Sequence, residues 1–330
     1  MLKKLEGFKI RFHDLVLKLD YYLFKDFKGY KMTDEIMLND SENVNNMLNG
    51  FSDALKNVKE MSPLTFCITN FVTVTDCANA ALAIGASPIM SNGAEEGGEI
   101  VNIANALVIN IGTLSKSQNE LMRNSASQAK EINKPIIFDP VGAGVSALRN
   151  DMTKEIVENY PLALVRGNMS EIKAITKLIN LNENNDSAGK GVDVAESDII
   201  SKDTLESNAL IVKELAKELD AVVIASGPID IISDGNLTFG LDNGDEMMPL
   251  ITGSGCMLTT IIGSYVGAND ALIGGITACA LMAIAGENAA KMVRENDLGS
   301  GSFRTFLIDN LYKLSAEELA ERANLFEINI

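Results

Sequence analysis

Short apolar runs alternate with helix-patterned segments along most of this 330-residue chain. Apolar runs of this length are typical of buried parallel strands, whose sheet is covered by helices on both faces. The alternation therefore predicts an α/β fold built on a mostly parallel central sheet. The predicted strands are 65–69, 106–111, 136–138, 162–165 and 221–225, and the predicted helices are 44–59, 75–84, 95–102, 117–133, 151–159, 170–178 and 203–219.

Turn signals and polar stretches complete this prediction. The dipeptide Asp234-Gly235 is typical of a hairpin turn between two short strands. From Cys256 onward the pattern is almost entirely helical, whereas 182–203 is rich in Asn, Asp, Ser and Gly and predicts an exposed loop. No internal repeat is visible, so we expect residues 32–330 to form a single domain.

Charge is distributed unevenly along the chain. Lys and Arg number 28 against 45 Asp and Glu, and the resulting net charge of −17 argues against nucleic-acid binding. Residues 1–31 carry a net charge of +4 and the chain's one histidine, His13. We expect them to be a basic leader outside the native protein, which would start at Met32; the alternative is a basic amphipathic helix that contacts a membrane or a partner. The remaining body has no histidine, which excludes His-dependent catalysis there.

The cysteines and the apolar stretches indicate where such a protein resides. The four cysteines show neither zinc-binding nor disulfide spacing, which predicts reduced thiols in a cytoplasmic protein. The weakly charged stretch 271–286 is shorter than the roughly 20 residues that a membrane span needs. We therefore expect it to be a buried helix, and we expect no contact with a membrane.

Polar residues follow four of the predicted strands. Ligands of parallel α/β sheets bind outside the carboxyl ends of the strands, so these positions predict the location of the functional site. The four loops begin at Gly112, Asp139, Arg166 and Ser226.

The strongest motif is the glycine-rich turn 252–256, TGSGC, which leads into an apolar helical pattern. Gly253, Ser254 and Gly255 would present unpaired backbone N–H groups at a helix N terminus, which predicts an anion site. A tight loop before a buried helix is the alternative. Cys256 would lie in the first helical turn, where the helix dipole is expected to lower the pKa of its thiol; an inert buried thiol is the alternative.

A second motif combines oxygen ligands with a cation. Asn168 and Glu171 would open a helix just after a strand, and Asp139 would end a neighbouring strand. These oxygens could hold a hydrated Mg²⁺, or Glu171 could simply cap its helix. Arg166 could meet a phosphate group or form a surface ion pair.

The segment 70–91 is almost uncharged and ends in small residues followed by Met90. Such a surface suits a small, mostly apolar ligand, although ordinary packing of a helix on a sheet is the alternative.

The segment from about residue 62 to the C terminus resembles the hydroxyethylthiazole kinase family. The shared motifs occur in the family's order, and GASPIM together with INIGTLS is the most specific, whereas TGSGC is shared more widely among ribokinase-like kinases. The motifs are ITN with ALAIGASPIMS, ALVINIGTLS, KPIIFDPVGAG, RGNMSEI, GKGVD and TGSGC.

This resemblance implies a ribokinase-like three-layer αβα sandwich that forms homotrimers with active sites at the subunit interfaces. It implies phosphorylation by ATP and Mg²⁺ of the hydroxyl of 4-methyl-5-(2-hydroxyethyl)thiazole, a step of thiamine biosynthesis. Residue by residue, it places Met90 and Gly253 at the substrate, Arg166, Asn168 and Ser226 at ATP, Asp139 and Glu171 at the metal, and Cys256 where most ribokinase-like enzymes have an aspartate base.

Three alternatives remain open from the sequence. The first is a related kinase acting on another small alcohol such as hydroxymethylpyrimidine. The second is an ATP-dependent dehydratase of hydrated nicotinamide nucleotides, which would normally carry Asp in place of Cys256. The third is a nucleotide-binding protein without catalytic activity.

Overall fold

The computed structural model describes residues 37–38, 41–181 and 200–330 of the chain. The chain divides into two units, residues 1–38 and 39–330. In the first unit, Met37–Leu38 is a two-residue strand. The fold described below is that of the second unit, and the expectation that residues 1–31 are a leader stays a prediction.

Nine strands of the second unit's described residues form one sheet with the order β9-β8-β7-β6-β5-β4-β3-β1-β2. The strands from β1 to β6 run parallel, whereas β7, β8 and β9 pair antiparallel at one side. The strands are β1 (Leu64–Ile68), β2 (Ser87–Met90), β3 (Ala106–Asn110), β4 (Ile136–Asp139), β5 (Leu164–Asn168), β6 (Val222–Ser226), β7 (Asp230–Ser233), β8 (Thr238–Leu241) and β9 (Leu325–Ile328).

Helices cover both faces of this sheet and make it the middle layer of three. One face carries α1 (Glu42–Met61), α2 (Val74–Ala83), α8 (Ser254–Val266), α9 (Ala271–Glu295), α10 (Ser300–Lys313) and α11 (Ala316–Arg322). The other carries α3 (Gly97–Ile103), α4 (Lys116–Glu131), α5 (Ala147–Asn159), α6 (Met169–Leu178) and α7 (Leu205–Leu219). The predicted αβα sandwich with a mostly parallel sheet is therefore confirmed.

Local sequence signals define where many of these helices begin. The side chains of Ser41, Ser115, Ser146 and Ser315 each accept a hydrogen bond from a backbone N–H in the first turn of the helix that follows. Such capping satisfies N–H groups that the helix itself leaves without partners. The predicted hairpin at Asp234-Gly235 is also confirmed, because it joins β7 to β8.

Two strands escaped the sequence prediction. β2 begins two residues after Gly85 and contains Pro88, which a strand accepts at the edge of a sheet but not in its middle. β9 lies in the C-terminal part that the sequence predicted to be helical, and it pairs with β8 far from it in sequence. Most of the predicted loop 182–203 lies outside the described residues.

One helix of the described residues, Ala271–Glu295, is long and apolar enough to cross a membrane by length and composition alone. Its apolar window is 78% buried inside the fold, however. The sequence prediction of a buried helix is therefore confirmed, although the helix is longer than the stretch that predicted it.

A glycine lets α8 lie close against the sheet. A Cβ atom added to Gly263 would collide with the side chain of Val108 on β3. This close approach fixes the distance of α8 from the strands, and so the position of its N terminus relative to their carboxyl ends.

We expect Gly263→Ala to lower the free energy of unfolding by about 1–3 kcal/mol, because a methyl group there overpacks the contact with Val108. Urea denaturation measures this value. The matched control is Gly301→Ala in α10, where an added Cβ meets no atom within 4 Å and stability should be unchanged or higher. Equal stability of the two variants would show that the close approach does not constrain α8.

Candidate active site

The carboxyl ends of the parallel strands bring the polar residues of the sequence prediction to one edge of the sheet. Asp139, Asn168 and Ser226 are the last residues of β4, β5 and β6, and Asn110 is the last residue of β3. Arg166 lies within β5 rather than in the loop after it, because that strand continues three residues beyond its predicted end. The predicted location of the site is thus consistent with the observed sheet.

The glycine-rich turn enters α8 in the way that the sequence predicts. Gly253 is the N-cap and has a φ of +84°, a left-handed conformation that favours glycine. A Cβ at Gly253 would also collide with the side chain of Thr73, which precedes α2. The backbone N–H groups of Ser254, Gly255 and Cys256 belong to the first turn of α8, where the helix offers them no acceptor.

Arg166 adds positive charge to this helix N terminus. Its Nε donates a hydrogen bond of 2.9 Å to Oγ of Ser226, which fixes the guanidinium across the ends of β5 and β6. A Cβ added to Gly255 would lie only 2.6 Å from Nη1 of Arg166. The guanidinium therefore lies directly against the glycine-rich turn, where both can attract the same anion.

Asp139 lies at the centre of the site and is completely buried. Its Oδ2 accepts hydrogen bonds of 2.8 Å from Nδ2 of Asn110 and from Oγ1 of Thr259. Among the residues that the structure describes, its Oδ1 has no hydrogen-bond partner. Burial raises the pKa of Asp139 to about 7, and the nearby charge of Arg166 only partly opposes that effect.

Glu171 and Asn168 form a capping box at the start of α6. Oδ1 of Asn168 accepts from the N–H of Glu171 at 2.9 Å, and Oε2 of Glu171 accepts from the N–H of Asn168 at 2.8 Å. Oε1 of Glu171 accepts from the N–H of Gly142 at 2.8 Å, which ties the loop after β4 to α6. The capping interpretation of Glu171 is therefore confirmed.

The donor set fits a magnesium ion that keeps most of its water. Mg²⁺ takes oxygen ligands and is usually held by one or two carboxylates. The unpartnered Oδ1 of Asp139 offers such a ligand. Each carboxylate oxygen of Glu171 accepts one hydrogen bond and can accept another from a water molecule bound to the ion. Within the described residues, no group of three or more His, Cys, Asp and Glu side chains could enclose a metal by itself.

Cys256 lies in the first turn of α8, but the prediction about its thiol is wrong. Burial and the nearby charge of Asp139 raise the pKa of the thiol instead of lowering it. Desolvation disfavours the thiolate more than the helix N terminus and the hydrogen bonds favour it. Cys67, Cys77 and Cys279 are buried, whereas Cys256 is partly exposed, and all four are free thiols.

A cavity of about 320 Å³ lies beside this constellation. Met90, Cys67 and Val74 contribute apolar surface to the cavity. Thr69 also lines the cavity, and the next residue in the chain, Asn70, contacts Cys256, so the cavity lies next to that thiol. The lining also includes Ser91, Asn92, Gly93 and Glu96. The cavity has a size that suits a small ligand, but five of its eight lining residues are polar or glycine, so it lacks the mostly apolar lining that the sequence predicts for this segment.

Sequence reasoning missed four residues that organise the site. Asn70, Asn110 and Thr259 contact Cys256 or Asp139, and Arg149 donates to the backbone oxygens of Ile111 and Gly112 at 2.7 Å. One signal was present, because an asparagine at the end of the apolar run ALVIN is unusual for a buried strand.

The three-layer sandwich, with a mostly parallel sheet and a glycine-rich turn at the carboxyl ends of its strands, is a ribokinase-like fold. A solved ribokinase-like superfamily protein from Enterococcus faecalis has this fold at 11% identity, with a TM-score of 0.52 over 79% of this chain and 95% of its own. That likeness shows the fold alone.

The closer comparisons define the family. The model of the hydroxyethylthiazole kinase family matches residues 55–317. A hydroxyethylthiazole kinase from Methanobrevibacter smithii is 56% identical over 86% of this chain and 98% of its own length. A solved hydroxyethylthiazole kinase from Pyrococcus horikoshii is 32% identical and has a TM-score of 0.73 over 85% of this chain and 100% of its own. The chain therefore belongs to the hydroxyethylthiazole kinase family, as its motifs predict.

The buried carboxyl of Asp139 should make stability depend on pH. Its folded pKa of about 7 lies above the unfolded value near 4, so its contribution to stability is present below pH 4 and lost as the pH rises through 7. We expect this group to lower the free energy of unfolding by roughly 4 kcal/mol between pH 4 and pH 8, and Asp139→Asn to remove that part of the decrease. Urea denaturation across this range measures it.

The control for this measurement is the exposed Asp53→Asn, which should keep the wild-type pH dependence. If Asp139→Asn and the wild type lose stability equally over the same range, the carboxyl of Asp139 is not penalised by burial.

Proposed function

We propose that this protein transfers the γ-phosphoryl group of ATP to the hydroxyl of 4-methyl-5-(2-hydroxyethyl)thiazole. The main observation behind this proposal is that Arg166, the glycine-rich turn and Cys256 lie together beside a small cavity lined by Met90. A cavity of this size suits a small heterocyclic alcohol, and the adjacent positive groups suit a phosphate. The names of the relatives at up to 56% identity support the same activity.

Phosphate binding is the task of Arg166 and of the first turn of α8. The backbone N–H groups of residues 254–256 and the helix dipole would stabilise the negative charge of the group in transfer. Arg166 would neutralise phosphate charge while Ser226 holds its guanidinium in place. Asn168, at the end of the same strand, lies at the strand edge where ATP would extend. Catalysis of this kind depends mostly on positioning and electrostatics.

Asp139 and Glu171 are the residues that would hold Mg²⁺, through Oδ1 of Asp139 and through water bound to Glu171. The ion would neutralise the charge of the ATP phosphates when it is bound. The chain's own contribution is to keep Asp139 in a fixed position, since Asn110 and Thr259 hold its other oxygen.

Cys256 would contact the alcohol of the substrate and orient it toward the phosphate. Because burial raises the pKa of the thiol, Cys256 is mainly protonated before the reaction. A loose transition state of phosphoryl transfer needs little help from a base until late in the reaction. In the fraction of the enzyme that carries a Cys256 thiolate, the sulfur would orient the alcohol by accepting a hydrogen bond from its hydroxyl and would take that proton as the new bond forms, whereas the thiol form can only orient the alcohol.

The assembly and location follow the family resemblance. We propose a homotrimer whose active sites lie at the subunit interfaces, in the cytoplasm, with ATP and the thiazole alcohol as its small-molecule partners. The four free thiols support a reducing compartment.

An ATP-consumption assay with hydroxyethylthiazole tests the function. We expect ADP release that requires both the thiazole alcohol and Mg²⁺. Hydroxymethylpyrimidine and a hydrated nicotinamide nucleotide serve as the competing substrates. Faster ADP release with either of them, or ATP binding without turnover on any substrate, would overturn the proposed activity.

Substitution of the thiol tests its part in the reaction. We expect Cys256→Ala to slow turnover about 10²-fold or more, because the alcohol loses its orienting group and proton acceptor. Cys256→Asp should retain activity, since a carboxylate can accept the same proton. The steady-state rate of ADP formation measures both. Cys279→Ala, at a buried thiol in α9, is the control and should keep wild-type turnover; equal activity of wild type and Cys256→Ala would remove Cys256 from the mechanism.

A further inference from the structure

Two asparagines from separate elements converge on the sulfur of Cys256. Nδ2 of Asn70, in the loop after β1, lies 3.2 Å from Sγ. Nδ2 of Asn110, the last residue of β3, lies 3.3 Å from the same atom. Both asparagines are almost fully buried, so water does not compete for these contacts. The sulfur thus faces two amide groups that have no role in the reaction proposed above.

The orientation of both amides is fixed by a backbone group that can only donate. The N–H of Gly112 donates to the side-chain oxygen of Asn110 at 2.9 Å, so the Nδ2 of Asn110 must face the opposite way. That oxygen also accepts from Nδ2 of Asn70 at 3.1 Å, which orients the second amide. Thr73 completes the chain by donating to Oδ1 of Asn70 at 3.1 Å.

Each amide nitrogen has two hydrogens, and the contacts account for all four. Asn110 donates one hydrogen to Oδ2 of Asp139 and the other to Sγ of Cys256. Asn70 donates one to Oδ1 of Asn110 and the other to Sγ. The sulfur is therefore an acceptor of two hydrogen bonds, an arrangement that favours a thiolate over a thiol.

Other groups around the sulfur oppose or support its charge. Asp139 on β4 disfavours a thiolate, as does Cys77 on α2 when it is ionised. Arg166 on β5 lies against Gly255, one residue before Cys256, and favours negative charge there. Three uncharged side chains lower the pKa of the thiol, those of Thr73, Asn70 and Asn110, and the two asparagines place a nitrogen atom within 3.3 Å of the sulfur.

We propose that Asn70 and Asn110 are a pair of positioning residues that hold the Cys256 sulfur as a hydrogen-bond acceptor and stabilise its thiolate. Their place in catalysis rests on the proposed kinase function, because the proton accepted by the sulfur is that of the substrate hydroxyl. In the thiolate form, the O–H bond of the alcohol breaks during transfer and its proton binds Sγ, while the alcohol oxygen bonds to phosphorus and the bond between phosphorus and the ADP oxygen breaks, so that ADP leaves. The two amides orient the sulfur for that step.

The test is the rate at which iodoacetamide alkylates Cys256 in the protein without substrate. We expect Asn70→Ala and Asn110→Ala each to slow alkylation at one mildly alkaline pH about tenfold, because a hydrogen bond to a charged group stabilises the thiolate by about one pH unit. Mass spectrometry of the alkylated peptide identifies the cysteine, and Cys256→Ala should abolish that signal. In a turnover assay, both asparagine variants should lower kcat more than they change KM for the alcohol.

The matched control is Asn208→Ala in α7, a buried asparagine on the opposite face of the sheet whose Nδ2 has no hydrogen-bond partner within 41–181 and 200–330. It should keep the wild-type alkylation rate. Asn110→Ala also removes a hydrogen-bond donor of Asp139, so circular dichroism and thermal unfolding must show that each variant is folded. If Asn110→Ala does not fold, the test depends on Asn70→Ala alone. An unchanged or faster alkylation rate in folded Asn70→Ala overturns the proposal. Absence of kinase turnover in the wild type with slowed alkylation in the variants would overturn the kinase function alone.

Discussion

The buried carboxylate of Asp139 joins the sheet to α8, the helix that begins at the glycine-rich turn. Its Oδ2 is held by Asn110 from the neighbouring strand and by Thr259 from α8, so one oxygen links β3, β4 and the helix. A carboxylate in such a place is costly, which is visible in the upward shift of its pKa. Strongly perturbed carboxyl groups of this kind cluster at functional sites, and the other oxygen of Asp139 is buried with no hydrogen-bond partner among the described residues.

The rest of the site is arranged around this junction by elements that are distant in sequence. Gly263 lets α8 approach β3, Gly253 turns the chain into α8, and Gly255 leaves room for the guanidinium of Arg166. The same compact packing removes water from Cys256, which explains why its pKa rises although it begins a helix. A site built this way places a guanidinium and a helix N terminus beside a thiol that two neutral amides contact.

The sequence predicted the fold well, because buried parallel strands and amphipathic helices have distinct patterns that depend only on neighbouring residues. It missed β2 and β9, since an edge strand with a proline and a C-terminal strand paired with β8 lack the local pattern of a core strand. The sequence also predicted that Arg166, Asp139 and the turn 253–256 would lie at the same edge of the sheet, and the structure brings them together there, while their roles stay predictions. No sequence motif pointed to Asn70 and Asn110, because the role of a side-chain amide is visible only when its hydrogen-bond partners are known.

By itself, the sequence determined the α/β architecture, the family, the glycine-rich turn before a buried helix and the lack of histidine in residues 32–330. It did so because periodicity, glycine placement and residue type are local properties of the chain. Only the tertiary structure decided the state of Cys256 and the direction of the two amides that contact it. Those properties depend on burial and on hydrogen bonds between elements, and such contacts arise only when β1, β3, β4 and α8 come together.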